Sequence, residues 1–347
     1  MSFIRYLLLT ILALVAVHTS AQELVVRGDF TTYFDNREYA STGFDTSETC
    51  FSARLSPQIG LRWEQHHTLM IGVDLMQNFG EDTKFLTEAK PQIWYQFELP
   101  KVLAVAGIFP RTKLRGDYGE AFFDRSYNFY HNRIQGVMGQ YRAERGFVEF
   151  AIDWEGMQSP TVREQFRLLS AGEYRGARFY GGYALSVGHY AKTSAPVDGE
   201  GVVDNMLGNL YGGVRFNAYF DFDFRLGYLQ SYQRDRCIGQ SWSPKGVALD
   251  LRMSRWNVTL GNMLYVGQNQ LSFYNRYGKA LYPNNIFFGT HHNIYNRTEI
   301  SYARRFAHDT VGIKAGIFFD YDGTGVGTSQ LLELNVRLGK VFTKKAK

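Results

Sequence analysis

The residues best placed to do chemistry lie between Arg111 and Asn132. Arg111, Lys113, Arg115 and Arg125 stand against Asp117, Glu120 and Asp124, a net of one positive charge. Nothing in this set pairs a nucleophile with a base, so the chemistry open to it is electrostatic. Opposed basic and acidic rows orient dipolar solutes, and rings of Arg and Lys favour anions. Tyr118, Phe122, Phe123, Tyr127, Phe129 and Tyr130 give the same segment apolar surface with which to pack.

Other candidates carry less. His66-His67 and His291-His292 are adjacent pairs, and neighbours on a strand point to opposite faces, so neither pair is a metal chelate by itself. Asp320-Tyr-Asp-Gly-Thr-Gly325 has oxygen ligands and turn glycines but lacks the other ligands of a calcium loop; an Asp-Gly turn accounts for it. No metal and no cofactor are expected. Cys50 and Cys237 fall near the outer ends of strands or loops. An oxidising exterior would let them form a disulfide if they meet. Barrel lipases resemble one another in setting a His near a Ser on the lipid-facing wall. No His stands two residues before a Ser in the mature chain, and His131, His189 and His308 lack such a neighbour. The expectation is therefore that the protein is not an enzyme.

The elements that must position these groups are strands. Phe51, Ala53, Leu55, Pro57, Ile59, Leu61 and Trp63 alternate with Ser52, Arg54, Ser56, Gln58 and Arg62. In an extended chain the two sets face opposite sides. Sixteen such segments begin near residues 24, 51, 68, 89, 103, 133, 147, 163, 178, 205, 219, 246, 256, 293, 310 and 329. Short connections (64–67, 100–102, 143–146, 171–175, 217–218, 254–255, 304–309) alternate with long ones (35–50, 80–88, 111–132, 155–162, 192–204, 233–245, 268–292), and 320–328 is intermediate.

Composition narrows the class. The chain of 347 residues is 45% hydrophobic and 16% aromatic at a mean hydropathy of −0.28, which excludes disorder. The mature chain has no apolar run of about 20 residues, which excludes a helical membrane protein. The net charge of +5 is spread out, apart from Lys344, Lys345 and Lys347, so no nucleic-acid footprint is present. Arg5, the apolar run Tyr6 to Val17 and Thr19-Ser20-Ala21 read as a secretory signal peptide over residues 1–21. Residues 22–347 are then one domain.

A soluble sandwich also alternates. Strands long enough to cross tilted, turns alternating with loops, and the need to close sheet edges favour an all-β, transmembrane antiparallel barrel. An even strand number puts both termini on the short-turn, periplasmic side. A charge facing lipid at mid-depth costs about 2–4 kcal/mol for Arg or Lys. Arg54, Arg62, Asp221, Asp223, Arg225, Asp250, Arg252, Glu333 and Arg337 are accordingly expected on the lumen face, with Asp74, Arg297 and Glu299, where they also brace the wall.

This pattern resembles the bacterial outer-membrane porins over the whole mature chain. Gly107-Ile-Phe-Pro-Arg111 is weakly similar to the segment entering the third loop of phosphate-selective-type porins. The chain departs from the family's aromatic C-terminus, since Thr343-Lys-Lys-Ala-Lys347 follows Phe342. The resemblance implies that residues 111–132 fold into the lumen as a constriction. It also implies an outer-membrane location in a Gram-negative bacterium and a homotrimer. Lipid and small hydrophilic solutes are the expected partners, solutes passing by diffusion with a mild anion preference. The alternative is a receptor or adhesin barrel, whose loop 268–292 would present Phe273, Tyr274, Tyr277, Tyr282, Phe287 and Phe288 to a ligand.

Overall fold

A computed structural model describes residues 23–44, 46–81 and 85–343. The expected signal peptide and the terminal lysines lie outside the described residues. The strands are β1 (Glu23–Glu38), β2 (Glu48–Trp63), β3 (His67–Asn78), β4 (Glu88–Glu98), β5 (Val102–Pro110), β6 (Arg133–Ala143), β7 (Gly146–Gly156), β8 (Gln165–Arg175), β9 (Phe179–Tyr190), β10 (Val203–Asn217), β11 (Asp221–Asp235), β12 (Gln240–Trp242), β13 (Lys245–Arg255), β14 (Val258–Gly267), β15 (Ile294–Phe306), β16 (Val311–Tyr321) and β17 (Val326–Thr343).

All pairs are antiparallel, and β1 pairs with both β2 and β17, so the sheet closes. The three-residue β12 pairs only with the end of β11, which continues directly to β13. Sixteen strands therefore make the wall, as the sequence pattern predicts. Closure satisfies every strand edge, which a bilayer demands. Glu23 and Thr343 pair with each other at the short-turn end.

Alternation sorts the two faces. On β2, Phe51, Leu55 and Ile59 are exposed outward, while Ser52, Arg54, Ser56 and Gln58 are buried inward. The outward band is apolar because its solvent is hydrocarbon. The short connections hold tight turns. Trp256 and Asn257 both have positive φ, at 52° and 66°, which matches the twist of a two-residue hairpin. One predicted turn is displaced: β8 runs through 171–175 and turns at 176–178. Gly172 is small there because a Cβ would lie 2.8 Å from the Tyr183 ring, and Glu173 accepts a 2.9 Å hydrogen bond from the Tyr211 hydroxyl. The small residues that resembled a turn are making room inside a strand.

Short helices α1 (Gly119–Phe122), α2 (Arg125–Tyr130) and α3 (Tyr274–Leu281) occupy two long connections. Strand periodicity gave no sign of them. Asp124 caps α2, its carboxylate accepting from the Arg125 N–H at 2.6 Å and the Ser126 hydroxyl at 2.9 Å. These connections supply the core, which therefore sits inside the barrel. Phe122, Phe123, Leu271, Tyr282, Phe287 and Phe288 pack there against wall residues such as Trp94, Ile134, Leu169, Tyr265 and Tyr295.

Candidate functional site

Residues 111–132 cross the lumen, and their charges engage the wall around most of its circumference. Arg111 reaches Asp153 of β7 at 2.6 Å and lies over the rings of Phe123 and Tyr127. Lys113 donates to Gln96 of β4 at 2.5 Å and sits 4.2 Å from the Trp94 ring centroid. Burial, reinforced by Arg27, pushes its ammonium down to about 8. The Arg115 guanidinium lies over Phe147, and the Arg115 backbone N–H donates to Glu149 at 2.7 Å. Asp117 pairs with Arg225 of β11 at 2.5 Å, and Asp124 with Arg37 of β1 at 2.9 Å. Arg125 lies 3.5 Å from Asp35, donates to Ser329 of β17 at 3.1 Å and covers the Phe318 ring.

Glu120 is the hub. It pairs with Arg297 of β15, lies 3.8 Å from Arg125 and accepts from Asn285 at 2.6 Å. Burial by itself would push this carboxyl up, but Arg297 and Arg125 outweigh it and hold the group well below the usual carboxylate range. The expected open rows of opposite charge across a pore are thus not what is found. These groups are mostly paired with the wall, because a buried charge without a partner costs several kcal/mol.

The other predicted wall residues take these positions. Arg54 contacts Asp74, also donating to Asn132 at 2.9 Å, and Arg62 lies 3.5 Å from Glu23. Asp221 accepts from Asn217, and Asp223 from Tyr180 at 2.5 Å and Arg215 at 2.8 Å. Arg225 joins Asp250 at 3.1 Å. Asp250, Arg252 and Glu299 line a cavity of about 160 Å³ with Asp117 and Glu120.

The connection 268–292 also turns inward. Phe273, Tyr282, Phe287 and Phe288 are buried. The Asn285 N–H donates to the Glu120 carbonyl at 2.9 Å and the Asp124 N–H to the Pro283 carbonyl at 2.7 Å, so the two connections are stitched together. Polar tips tie the rings to the wall: Tyr282 donates to Gln233 at 2.7 Å, and Tyr277 to Asp235 at 2.6 Å. Rings expected to face a ligand outside are mostly spent on filling the lumen.

Beside this filling lie two cavities that share part of their lining. One of about 440 Å³ is lined by Arg54, Lys90, Arg111, Arg133 and Lys279, with Asp153 and Glu155. The other, about 350 Å³, is lined by Arg54, Arg125, Arg133, Lys314 and Arg337, with Asp29 and Glu333. Arg54, Asn132 and Arg133 border both. Sequence reasoning missed Arg133, Lys90, Lys279 and Lys314 because each lies on a different strand or loop and shares no local pattern.

The disulfide does not form. Cys50 is buried beside Tyr33, Met76 and Phe129, whereas Cys237 is exposed beyond β11, and both are free thiols. Asp320 is held by Tyr295 and Arg297, each at 2.7 Å, and Asp322 accepts N–H bonds from Gly43, Thr324 and Gly325. Among the described residues no cluster of His, Cys, Asp and Glu is placed to hold a metal ion. His67 stacks on Trp63, His131 on Tyr127 and His291 on Phe44. His189 stacks on Phe166 and faces outward, with Nδ1 3.5 Å from Asp204.

A closed barrel with an apolar outer band and a polar lumen is the architecture of outer-membrane proteins, and this chain is an outer-membrane β-barrel of a Gram-negative bacterium. Solved barrels share the fold. A loop-deletion form of OmpT, an outer membrane protein of Vibrio cholerae, superposes with a TM-score of 0.57 at 9% identity, covering 92% of this chain and 100% of that one. Pseudomonas aeruginosa OccK11 (OpdR) gives 0.54 at 10% identity, covering 91% and 96%. No curated protein matches the chain by sequence. Residues 16–343 match the family described as Lipid A 3'-O-deacylase-type, and the chain belongs to that family. It is an enzyme family, which overturns the expectation that the protein is not an enzyme. That expectation came from looking for a His and a Ser close together in sequence. Such a search does not see partners that meet across strands.

Proposed function

We propose that this barrel hydrolyses the 3' acyl ester of lipid A, meeting its substrate from the surrounding bilayer with the long-loop end outermost. The observation that carries this reading is the family match over residues 16–343. The filled lumen adds support: acyl chains stay in hydrocarbon, and the interior is occupied by Phe122, Phe287 and their neighbours. The test is incubation of the purified protein with lipid A in mixed micelles, followed by mass spectrometry. Loss of one acyl chain with release of the matching fatty acid is expected. Unchanged lipid A in the presence of folded protein contradicts the reading.

A second reading rests on the two cavities that share Arg54 and Arg133. In this reading they form a narrow route for small hydrophilic solutes past the inward-folded connections. Five Arg and Lys against two carboxylates in each favour anions. The expected mild anion preference then resides at Arg54 and Arg133 more than in the charges of 111–132. Stepwise conductance in planar bilayers, with an anion-side reversal potential in a salt gradient, is expected; silence or cation preference contradicts it.

A further inference from the structure

On the outer face, neighbouring strands bring one row of side chains to a common height. Trp154 of β7 is opposite Phe166 of β8, Phe166 opposite His189 of β9, His189 opposite Asp204 of β10, and Asp204 opposite Arg234 of β11. The row faces outward: Leu185, Met206 and Tyr232, of the same parity on their strands, are exposed, whereas Ala184, Leu207 and Leu229 are buried inside. It lies at the long-loop end, His189 being the penultimate residue of β9 and Asp204 the second of β10. Trp154, Tyr232 and Trp242 are exposed around it, the aromatic composition of a membrane–water interface. The ester bonds of an outer-leaflet lipid lie between headgroup and chain, near such an interface.

Within the row His189 is held on two sides. Its ring stacks on Phe166 at 4.9 Å between centroids, and Phe166 stacks on Trp154 at 5.4 Å. Its Nδ1 is 3.5 Å from Asp204 Oδ1, and Arg236 fixes the carboxylate, donating to Oδ2 through Nε at 3.0 Å and Nη2 at 2.8 Å and to Oδ1 through Nη2 at 3.1 Å. The side chains of His189 and Asp204 are 28% and 16% accessible, so the pair is partly shielded yet reachable. Among the described residues, Nε2 has no hydrogen-bond partner and no hydroxyl is bonded to the ring, which leaves water as the nucleophile.

We propose that His189, oriented by Asp204, is the general base of acyl-ester hydrolysis on the outer wall, with Arg234 beside it gripping an anionic headgroup. This assignment rests on the hydrolase reading above. Water attacks the ester carbonyl carbon as His189 Nε2 takes its proton. The carbon–oxygen bond to the headgroup hydroxyl then breaks, and the imidazolium returns the proton to that departing oxygen. The products are a free fatty acid and a lipid with one exposed hydroxyl. Asp204 orients the ring through Nδ1 and touches neither water nor ester, so it is a positioning residue.

The experiment measures fatty acid release from lipid A in mixed micelles by wild type, His189→Gln, Asp204→Asn, Asp204→Glu and Arg234→Gln. General-base loss is worth about 10²–10⁴-fold, so His189→Gln is expected to lose at least about 100-fold in kcat. Asp204→Asn lowers kcat at unchanged KM, with partial rescue by Asp204→Glu, and Arg234→Gln raises KM. Circular dichroism and heat-modifiable migration on gels, unchanged in these surface variants, verify the fold. An active wild type with His189→Gln within twofold of it overturns this assignment and leaves the hydrolase reading standing. An inactive, folded wild type overturns both.

Discussion

The interior of the barrel and the row on its outer wall use charge differently. Inside, Glu120, Asp124 and Arg111 are each committed to partners on the wall or on the other inward connection. Their role is to hold inserted chain against the barrel, because leaving any of them alone in a closed space is costly. Outside, Asp204 is secured by Arg236, yet it leaves the imidazole of His189 with one nitrogen uncommitted. Reactivity follows from that spare valence more than from the number of charged residues. The interior has far more of them.

Perturbations should respect this division. The largest effect is expected for Arg297→Ala. It removes the guanidinium shared by Glu120 and Asp320, leaving them Arg125, Asn285 and Tyr295, which should cost about 3–4 kcal/mol, within the range for a broken buried pair. Urea-dependent folding in micelles measures it. The sign of the related pH effect follows from the depressed Glu120 carboxyl. Stability from this contact is present above the ordinary value of 4.5 and lost as pH falls through the lower folded value.

Next is Phe287→Ala. The ring is fully buried and stacked on Tyr295 at 5.1 Å, so its loss should cost about 3 kcal/mol. It should also widen the lumen, seen as larger single-channel steps, with fatty acid release unaffected.

A smaller change is expected for Arg133→Gln. Asp74 keeps Arg54 as a partner, so folding survives, while the anion-to-cation permeability ratio falls. An unchanged ratio would remove Arg133 from the route. The smallest effect concerns Lys113. Between about 8 and 10.5 the unfolded chain holds a proton that the folded chain lacks, so stability should rise with pH across that window. The rise is on the order of 1 kcal/mol after screening. Lys113→Met should abolish it.

The wall was readable from sequence because lipid and water select opposite residues at every second position. Phe51 and Arg54 declare their faces without help from any distant partner. The charged segment 111–132 was also visible, since its residues are contiguous. Its pairing was not, because Arg37, Asp153, Arg225 and Arg297 come from four separate strands whose register only the closed barrel fixes. The aromatic loop 268–292 was seen but assigned to the outside. Composition does not distinguish rings that meet lipid or ligand from rings that fill a lumen. His189 and Asp204 are fifteen residues apart across a long connection, and only the β9–β10 register sets them side by side.

The most direct test is mass spectrometry of lipid A after exposure to the purified, folded wild-type barrel, with His189→Gln run beside it. The account predicts release of a single acyl chain by wild type, reduced at least about 100-fold by the substitution. Lipid A left intact by a wild-type barrel whose circular dichroism shows it folded would contradict it.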